Sequence, residues 1–311
     1  MSNQNQNQNE NTRIYLSALD NLPYTLPQGR IGADYRRQAS MIDTNSRKDV
    51  DNYTLLETVL GLARRQYVLP NACRIENTDT LEFHIDVANA KITANEKVPD
   101  LVRSPLRKIN YNRLDFDLWK NEVPIAQSDK SARKSHPSIQ RDIEDAAAAL
   151  ANSKNSQIAT VLEAGTRTSG GGNWLSTDNP YGDIDTAVDS IESTYEAGTA
   201  DTLAAPRKVW TAFWSNPFVK GEAQGTKFPA GKVFPVPGLP GFTGVMDNSI
   251  TAGSMIVCDR SQYVILAQGP IESEGWRDSD AGFNAYKIRD WMEVQLAVNN
   301  AGYELTAVLT S

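Results

Sequence analysis

Residues Ser135 to Gly165, SHPSIQRDIEDAAAALANSKNSQIATVLEAG, read as one long amphipathic helix, and few other features restrict the fold as much. Ser135 suits the N-cap and Pro137 the first helical positions, while Asp142, Glu144 and Asp145 place negative charge toward the positive end of the helix dipole. Ile139, Ile143, Ala146, Ala147, Leu150, Ile158, Val161 and Leu162 fall on one stripe at helical spacing, and Gly165 supplies a stop. At ~1.5 Å per residue such a helix is roughly 40 Å long. The stripe is narrow and rich in alanine, so a sheet can approach it closely. A helix of this length acts as a beam, and the remaining segments are expected to hang from it.

The segments before it are uneven. Residues 1–11 form an Asn/Gln tract with nothing to bury, expected to be disordered or ordered by a partner. Residues 12–48 hold apolar side chains without a sustained period, as in an extended arm lying on another surface. Asp49 to Tyr67 predicts a helix with Tyr53, Leu56, Leu60, Ala63 and Tyr67 on one face, ended by Pro70. Thr80 to Val87 alternates as a strand, as does Ile109 to Trp119. Between them, Ala88 to Lys108 is polar and too poor in apolar residues for its own core, which predicts a long projecting hairpin. A loop of about 20 residues is unusual unless it has a function. A short strand is expected at Val123 to Gln127.

After Gly165, the stretch TRTSGGGNW predicts a flexible connection, and Asp183 to Ala197 a second helix. Lys208 to Trp214 is apolar and aromatic enough for a buried strand, and the Gly/Pro-rich stretch 225–244 for a loop with at most short strands. Ser254 to Ala267 predicts two strands joined by a tight turn at Asp259–Ser261. Tyr286 to Val298 and Tyr303 to Leu309 predict the last two strands. No internal repeat is present.

A chain of 311 residues has room for about two domains, and 40% hydrophobic with 22% charged residues is ordinary for a globular protein. No apolar run of about 18 residues exists to span a membrane, and the first residues lack the basic and apolar regions of a secretory signal. Cys73 and Cys258 are expected to be buried thiols. A formal net charge of −7 argues against tight nucleic-acid binding by the whole chain, though not against enclosing nucleic acid without gripping it.

Catalytic chemistry finds no foothold. The histidines are His84 and His136, one on the polar side of a strand and one beside a helix start, with nothing to organise them as bases. Neither they nor the two cysteines have metal-ligand spacing. Gly225 and Gly231–Lys232 miss the phosphate-loop spacing by one residue, and Val233 stands where Ser or Thr would hold magnesium. Gly170–Gly172 lacks the frame of a dinucleotide fingerprint, and there is no GxSxG elbow. Trp210, Phe213, Trp214 and Phe218 read as core or subunit contact, because basic residues are not interleaved among them. The expectation is an α+β protein without active site, cofactor or metal. Its arm and hairpin gain stability only by docking on other subunits.

Three stretches then carry a resemblance: LDFDLWKNEVPIAQSDKSA (Leu114–Ala132), GLPGFTGVMDNSITAGSMIVCDRSQYVILAQG (Gly238–Gly269) and AYKIRDWMEVQLAVNNAGYEL (Ala285–Leu305). With the order of the parts, they make the chain resemble the major capsid proteins of tailed double-stranded DNA viruses, of the Hong Kong 97 type. The resemblance implies an N-terminal tail and arm (1–67), an E-loop with flanking strands (68–120), a P-domain with a spine helix (121–175), an A-domain (176–267) and returning P-domain strands (268–311).

It further implies a non-catalytic subunit that self-assembles into pentamers and hexamers of an icosahedral head, built in the host cytoplasm, enclosing double-stranded DNA without specific binding. Portal and cement proteins are the implied further partners, and any scaffold would be a separate protein or absent. Residues 88–108 carry Lys91, Lys97, Arg103, Arg107 and Lys108 against Glu96 and Asp100. In the family the E-loop lies over a neighbour's P-domain. Lys97, Arg103, Arg107 and Lys108, with Leu101 and Leu106, are therefore expected to meet Asp142, Glu144 and Asp145 of the next subunit. Covalent linkage of Lys91 or Lys97 to Asn299 or Asn300 is not expected. An encapsulin-type compartment around a cargo enzyme is the alternative reading, and an uncharacterised two-domain enzyme a third.

Overall fold

The computed structural model describes residues 58–64, 66–88, 111–128, 136–165, 167–176, 178–194, 199–222, 228–278 and 282–309. The expected tail, arm and hairpin tip lie outside them. The chain divides into two compact units. Among described residues, the first holds 58–66, 120–151 and 271–290, and the second 67–119, 152–270 and 291–309.

The long helix is real. α1 runs His136–Leu162, its residues through Ala151 counted in the first unit and the rest in the second. Ala146, Ala147, Leu150, Ala151, Ile158, Ala159 and Leu162 are buried, so the stripe read from the sequence faces inward. Ile143 is half-buried, and Ser135 and the side chain of Ile139 lie outside the described residues. One part of the reading is corrected. The first helical turn holds no acid, and Asp142 is a full turn beyond it, where the dipole has little effect.

In the first unit, residues 58–64 are helical, with Val59, Leu60 and Ala63 buried. The predicted helix thus stops before Tyr67. A sheet of order β1-β10-β11-β4 contains β1 (Arg74–Asn77), β4 (Trp119–Ser128), β10 (Val264–Asp278) and β11 (Phe283–Leu296). The first unit takes β4 from Lys120, the end of β10 and the start of β11. There β11 alternates from Lys287 to Asp290, with Ile288 and Asp290 buried and Lys287 and Arg289 on the other face.

The second unit is built on a six-stranded sheet of order β5-β12-β9-β6-β8-β7. Its strands are β5 (Thr168–Gly170), β6 (Thr202–Ala205), β7 (Val233–Pro235), β8 (Thr243–Met246), β9 (Met255–Cys258) and β12 (Gly302–Thr306). β5 runs parallel to β12 and β6 parallel to β8, while β9 is antiparallel to both β12 and β6. Hence β5, β12, β6 and β8 all point the same way. Each face has a core. Leu203, Ala205, Met255 and Val257 pack with α2 (Pro180–Thr194) and α3 (Arg207–Ser215), the latter followed by α4 (Pro217–Glu222). Ala204, Ile256 and Cys258 pack on the opposite side with Ile158 and Leu162 of α1, with Leu69 and Ala72 of a 3-10 turn, Leu69–Ala72, and with Cys73 just after it. Both cysteines are free and buried, as expected.

Several expectations give way here. Lys208 to Trp214 is helix α3, not a strand. Val209, Trp210, Ala212 and Phe213 are buried at i, i+1, i+3 and i+4, and Pro206 closes β6 just before the helix starts. A short apolar run does not distinguish the two conformations by periodicity. The TRTSGGGNW stretch is β5 followed by a pinned turn. The Asp183 carboxylate accepts hydrogen bonds from the Gly172 amide (2.9 Å) and the Trp174 indole (2.7 Å). The turn after Asp259 is present, its carboxylate accepting from the Ser261 amide at 2.8 Å. The strands on either side, β9 and β10, nonetheless enter different sheets. β12 ends at Thr306 rather than at Leu309, because Ala307 adopts φ 59°.

Tyr263 closes the helix end. Its hydroxyl donates to the Leu162 carbonyl at 2.8 Å, one of the acceptors a helix terminus leaves open. A Cβ on Gly165 would stand 2.2 Å from that hydroxyl, and one on Gly302 2.2 Å from the ring. Both glycines are therefore fixed by close approach of a buried aromatic ring.

Candidate assembly surface

The base of the predicted hairpin is an antiparallel ribbon of β2 (Glu82–Ala88) and β3 (Tyr111–Asp117), paired from Glu82↔Asp117 to Ala88↔Tyr111. Strict alternation makes its faces different. Phe83, Ile85, Val87, Leu114 and Phe116 turn inward onto Ile265, Ala267 and Trp291, with Phe83 stacked on Phe116 at 5.0 Å. The outer face shows His84, Arg113 and four carboxylates, from Glu82, Asp86, Asp115 and Asp117. Only Arg113–Asp115, at 2.9 Å, forms an ion pair within that group. Gln295 donates its amide to the Asp115 carbonyl at 2.7 Å, and Glu293 accepts the Asp117 amide, so β3 is tied to β11 through backbone groups.

At the root of the ribbon the chain exposes apolar surface. The Leu118 amide donates to the Leu81 carbonyl at 2.9 Å, and Leu81 and Trp119 beside it stand in solvent, Trp119 72% exposed. An isolated exposed leucine is ordinary, but an exposed tryptophan is the residue type that anchors protein–protein contacts.

Of the residues singled out in the sequence, Lys97, Leu101, Arg103, Leu106, Arg107 and Lys108 lie outside the described residues, as do Lys91 and the hairpin tip. Asp142, Glu144 and Asp145 are exposed on α1. Trp210 and Phe213 are core, in edge-to-face contact at 5.6 Å, whereas Phe218 is half-exposed. His84 is on the exposed side of β2, as expected.

The sequence reading missed a charged ladder in the first unit. Glu122 on β4 meets Arg289 (3.0 Å), Lys287 (3.3 Å) and Lys120 (3.7 Å), and Arg289 also reaches Glu274 (2.6 Å) and Glu272 (3.9 Å). The Arg289 hydrogen bond, followed by that of Lys287, holds the Glu122 carboxyl below the usual range. The signal was available: Lys120/Glu122, Glu272/Glu274 and Lys287/Arg289 are all i, i+2 pairs, which place charge on one face of each strand. By contrast, burial raises the thiol of Cys73 to about 12, that of Cys258 well above its ordinary value, and the Tyr263 phenol likewise. None of these is poised as a nucleophile near neutral pH.

No protein-family model matches the chain, and no curated protein does. Solved structures do. A virus-like particle from Pyrococcus furiosus aligns with 81% of this chain and 97% of its own, at TM-score 0.58 and 11% identity. The capsid of a native GTA particle aligns with 78% of this chain and 90% of its own, at TM-score 0.56 and 13% identity. The mature capsid of bacteriophage PhiM1 aligns with 76% and 86%, at TM-score 0.52 and 10% identity. The chain has the fold of these particle-forming proteins, the Hong Kong 97-type α+β capsid fold.

Proposed function

We propose that this protein is a structural shell subunit, the major capsid protein of an icosahedral virus head that encloses double-stranded DNA. The observation that carries the reading is the fold, matched over 76–81% of the chain by proteins that form capsids and particles. The surface supports it. A ribbon with one apolar face and an exposed root at Leu81 and Trp119 gains its remaining contacts from another subunit. The net charge of −7 suits a shell that must not trap an incoming polyanion.

In this reading the segment 88–108 clamps the next subunit. Arg103, Arg107 and Lys108 meet carboxylates there, Asp142, Glu144 and Asp145 among them, at about 0–1 kcal/mol for each exposed pair. Leu101 and Leu106 add apolar burial. Copies of this chain are the principal partners, with separate scaffolding, portal or cement proteins around them. A compartment shell enclosing a cargo protein is the second reading, favoured by the likeness to the virus-like particle.

Size-exclusion chromatography with electron microscopy of the purified chain tests the first claim, with closed particles tens of nanometres across as the expected result. A chain that stays monomeric at every concentration and salt overturns it. Nuclease-resistant DNA inside native particles supports the virus head, and a co-purifying protein cargo the compartment. Deleting 92–104 should leave a folded subunit that fails to close shells. Normal particles from that variant would remove the hairpin from this role.

A further inference from the structure

The second unit carries two further surfaces that the capsid reading does not by itself explain. The first is an open groove of about 770 Å³ at the carboxyl ends of the parallel strands β6, β8 and β12. Pro206 follows β6, Ile250 follows β8 and Leu309 follows β12. Leu175 stands at its wall, 66% exposed, and Arg207 and Lys208 from the start of α3 line it as well. The second surface is the outer face of α2. With Ile184, Ala187 and Ile191 buried, the helix turns Asp185, Asp189 and Glu192 outward, at i, i+4 and i+7, among Gly182, Thr186 and Ser193.

The charge is segregated along the chain. Residues 168–206 hold seven acids and no Lys or Arg, whereas 207–232 hold five bases and one acid. Among the described residues, no ion pair engages Asp185, Asp189, Glu192, Arg207 or Lys208. Arg207 rests over the Phe228 ring at 5.7 Å, which leaves its guanidinium charge unneutralised.

We infer that the groove receives the outer face of α2 from a second copy of this chain, with Asp185, Asp189 and Glu192 set against Arg207 and Lys208 and with Leu175 covered. Small side chains between the acids allow the helix to approach an apolar groove closely, and the two rims carry opposite charge. No residue of α2 lines the groove, so the donor and acceptor surfaces are separate on one subunit. A contact between two different surfaces is head-to-tail, and such a contact closes into a ring where its rotation permits and otherwise runs on as a filament. The inference rests on the shell reading and deepens it by naming a contact that builds the ring.

The test uses the full chain carrying Asp189→Cys together with Lys208→Cys. The native thiols are buried, so oxidation reports only the engineered pair. The expected result is a disulfide-linked ladder, seen without reductant, that climbs past the dimer, ends at a closed ring and is cleared by reductant. A ladder that stops at the dimer, or no ladder from wild-type-like assemblies, overturns the inference.

Charge reversal supplies the second arm. Asp185→Lys/Asp189→Lys and Arg207→Glu/Lys208→Glu should each lose assembly while keeping wild-type circular dichroism, and combining all four substitutions in one chain should restore it. Both reversed proteins assembling alone as wild type does, at low and high salt, overturns the inference and leaves the shell reading intact. A wild-type chain that never associates overturns the shell reading, and this contact with it.

Discussion

The six-stranded sheet and the β2–β3 ribbon differ in composition and are buried in opposite ways. In β6 and β9 every residue is buried, because helices and turns cover both faces of the sheet. In the ribbon only alternate residues are covered, and the other face presents carboxylates to solvent. A strand buried on both faces loses its alternation and becomes a short apolar run, while a half-buried strand keeps it. Stability is therefore concentrated in the sheet and its two cores, and the ribbon is free to carry surface chemistry.

The largest test of that division compares two tryptophans. Trp210 is wholly buried beneath the sheet, with its indole donating to the Val245 carbonyl at 3.0 Å and its ring against Phe234 at 4.8 Å. Trp210→Ala is expected to cost about 3–5 kcal/mol, read from the urea midpoint. Trp119→Ala, at the ribbon root, is expected to change stability by no more than about 0.5 kcal/mol. Under the shell reading it should still weaken assembly. Equal losses of stability at the two sites would erase the distinction between the regions.

A smaller effect is expected at Gly302, where β12 passes the Tyr263 ring. Gly302→Ala forces a methyl group into that ring from a strand held on both sides by β5 and β9, so neither partner retreats easily. Overpacking of this kind costs about 1–3 kcal/mol. Trimming the ring in the same chain, with Tyr263→Leu added to Gly302→Ala, should recover part of the loss. Simple addition of the two single losses would mean that the clash is not the cause.

These sites also mark how far the sequence could be read. The long helix and the ribbon strands were legible because their patterns are local: a stripe at helical spacing, and strict alternation from Leu81 to Val87 and from Arg113 to Leu118. Helix α3 was not, because four buried residues in seven fit a buried strand as well as a short helix. The close packing of Gly165 and Gly302 on Tyr263 joins residues about a hundred and forty apart, and no local pattern announces it. Within the candidate surface, the exposed Trp119 was passed over because a strand with Leu118 turned inward simply carries its next residue outward. The conformational freedom of glycine made TRTSGGGNW read as a flexible connection, but Asp183 and Asp178 pin its amides from eleven and five residues away.

Titration separates the cores from the charged surface. Folding holds the Cys73 and Cys258 thiols and the Tyr263 phenol above their ordinary values, so the folded chain keeps protons that the unfolded chain releases. Their contribution is complete below the ordinary thiol range, near pH 8.5, and is lost as pH rises toward and through the raised values. Glu122 behaves in the opposite sense. Its lowered value adds stability above the ordinary carboxylate range, lost as pH falls through the folded value. Urea midpoints across pH should therefore decline above about 8.5, with the decline reduced in Cys258→Ala, and native thiols should resist alkylation at neutral pH. Rapid alkylation of folded protein would contradict the burial of both cysteines.

The smallest expected effect asks whether the sheet's end is strained in the way its middle is not. Ala307 follows β12 with φ 59°, a left-handed conformation in which Cβ crowds the backbone by roughly 1–2 kcal/mol. Glycine relieves that crowding but is more flexible when unfolded, at a cost of about 0.5–1 kcal/mol. Ala307→Gly should therefore be neutral to stabilising, by up to about 1 kcal/mol. Ala205, in β6 of the same sheet, has extended backbone and a buried methyl group, so Ala205→Gly incurs the flexibility cost and loses packing besides. The same substitution is thus expected to move the urea midpoint up or not at all at position 307, and clearly down at position 205. Two declines of equal size would mean that the turn at Ala307 stores no strain, and that β12 stops for another reason.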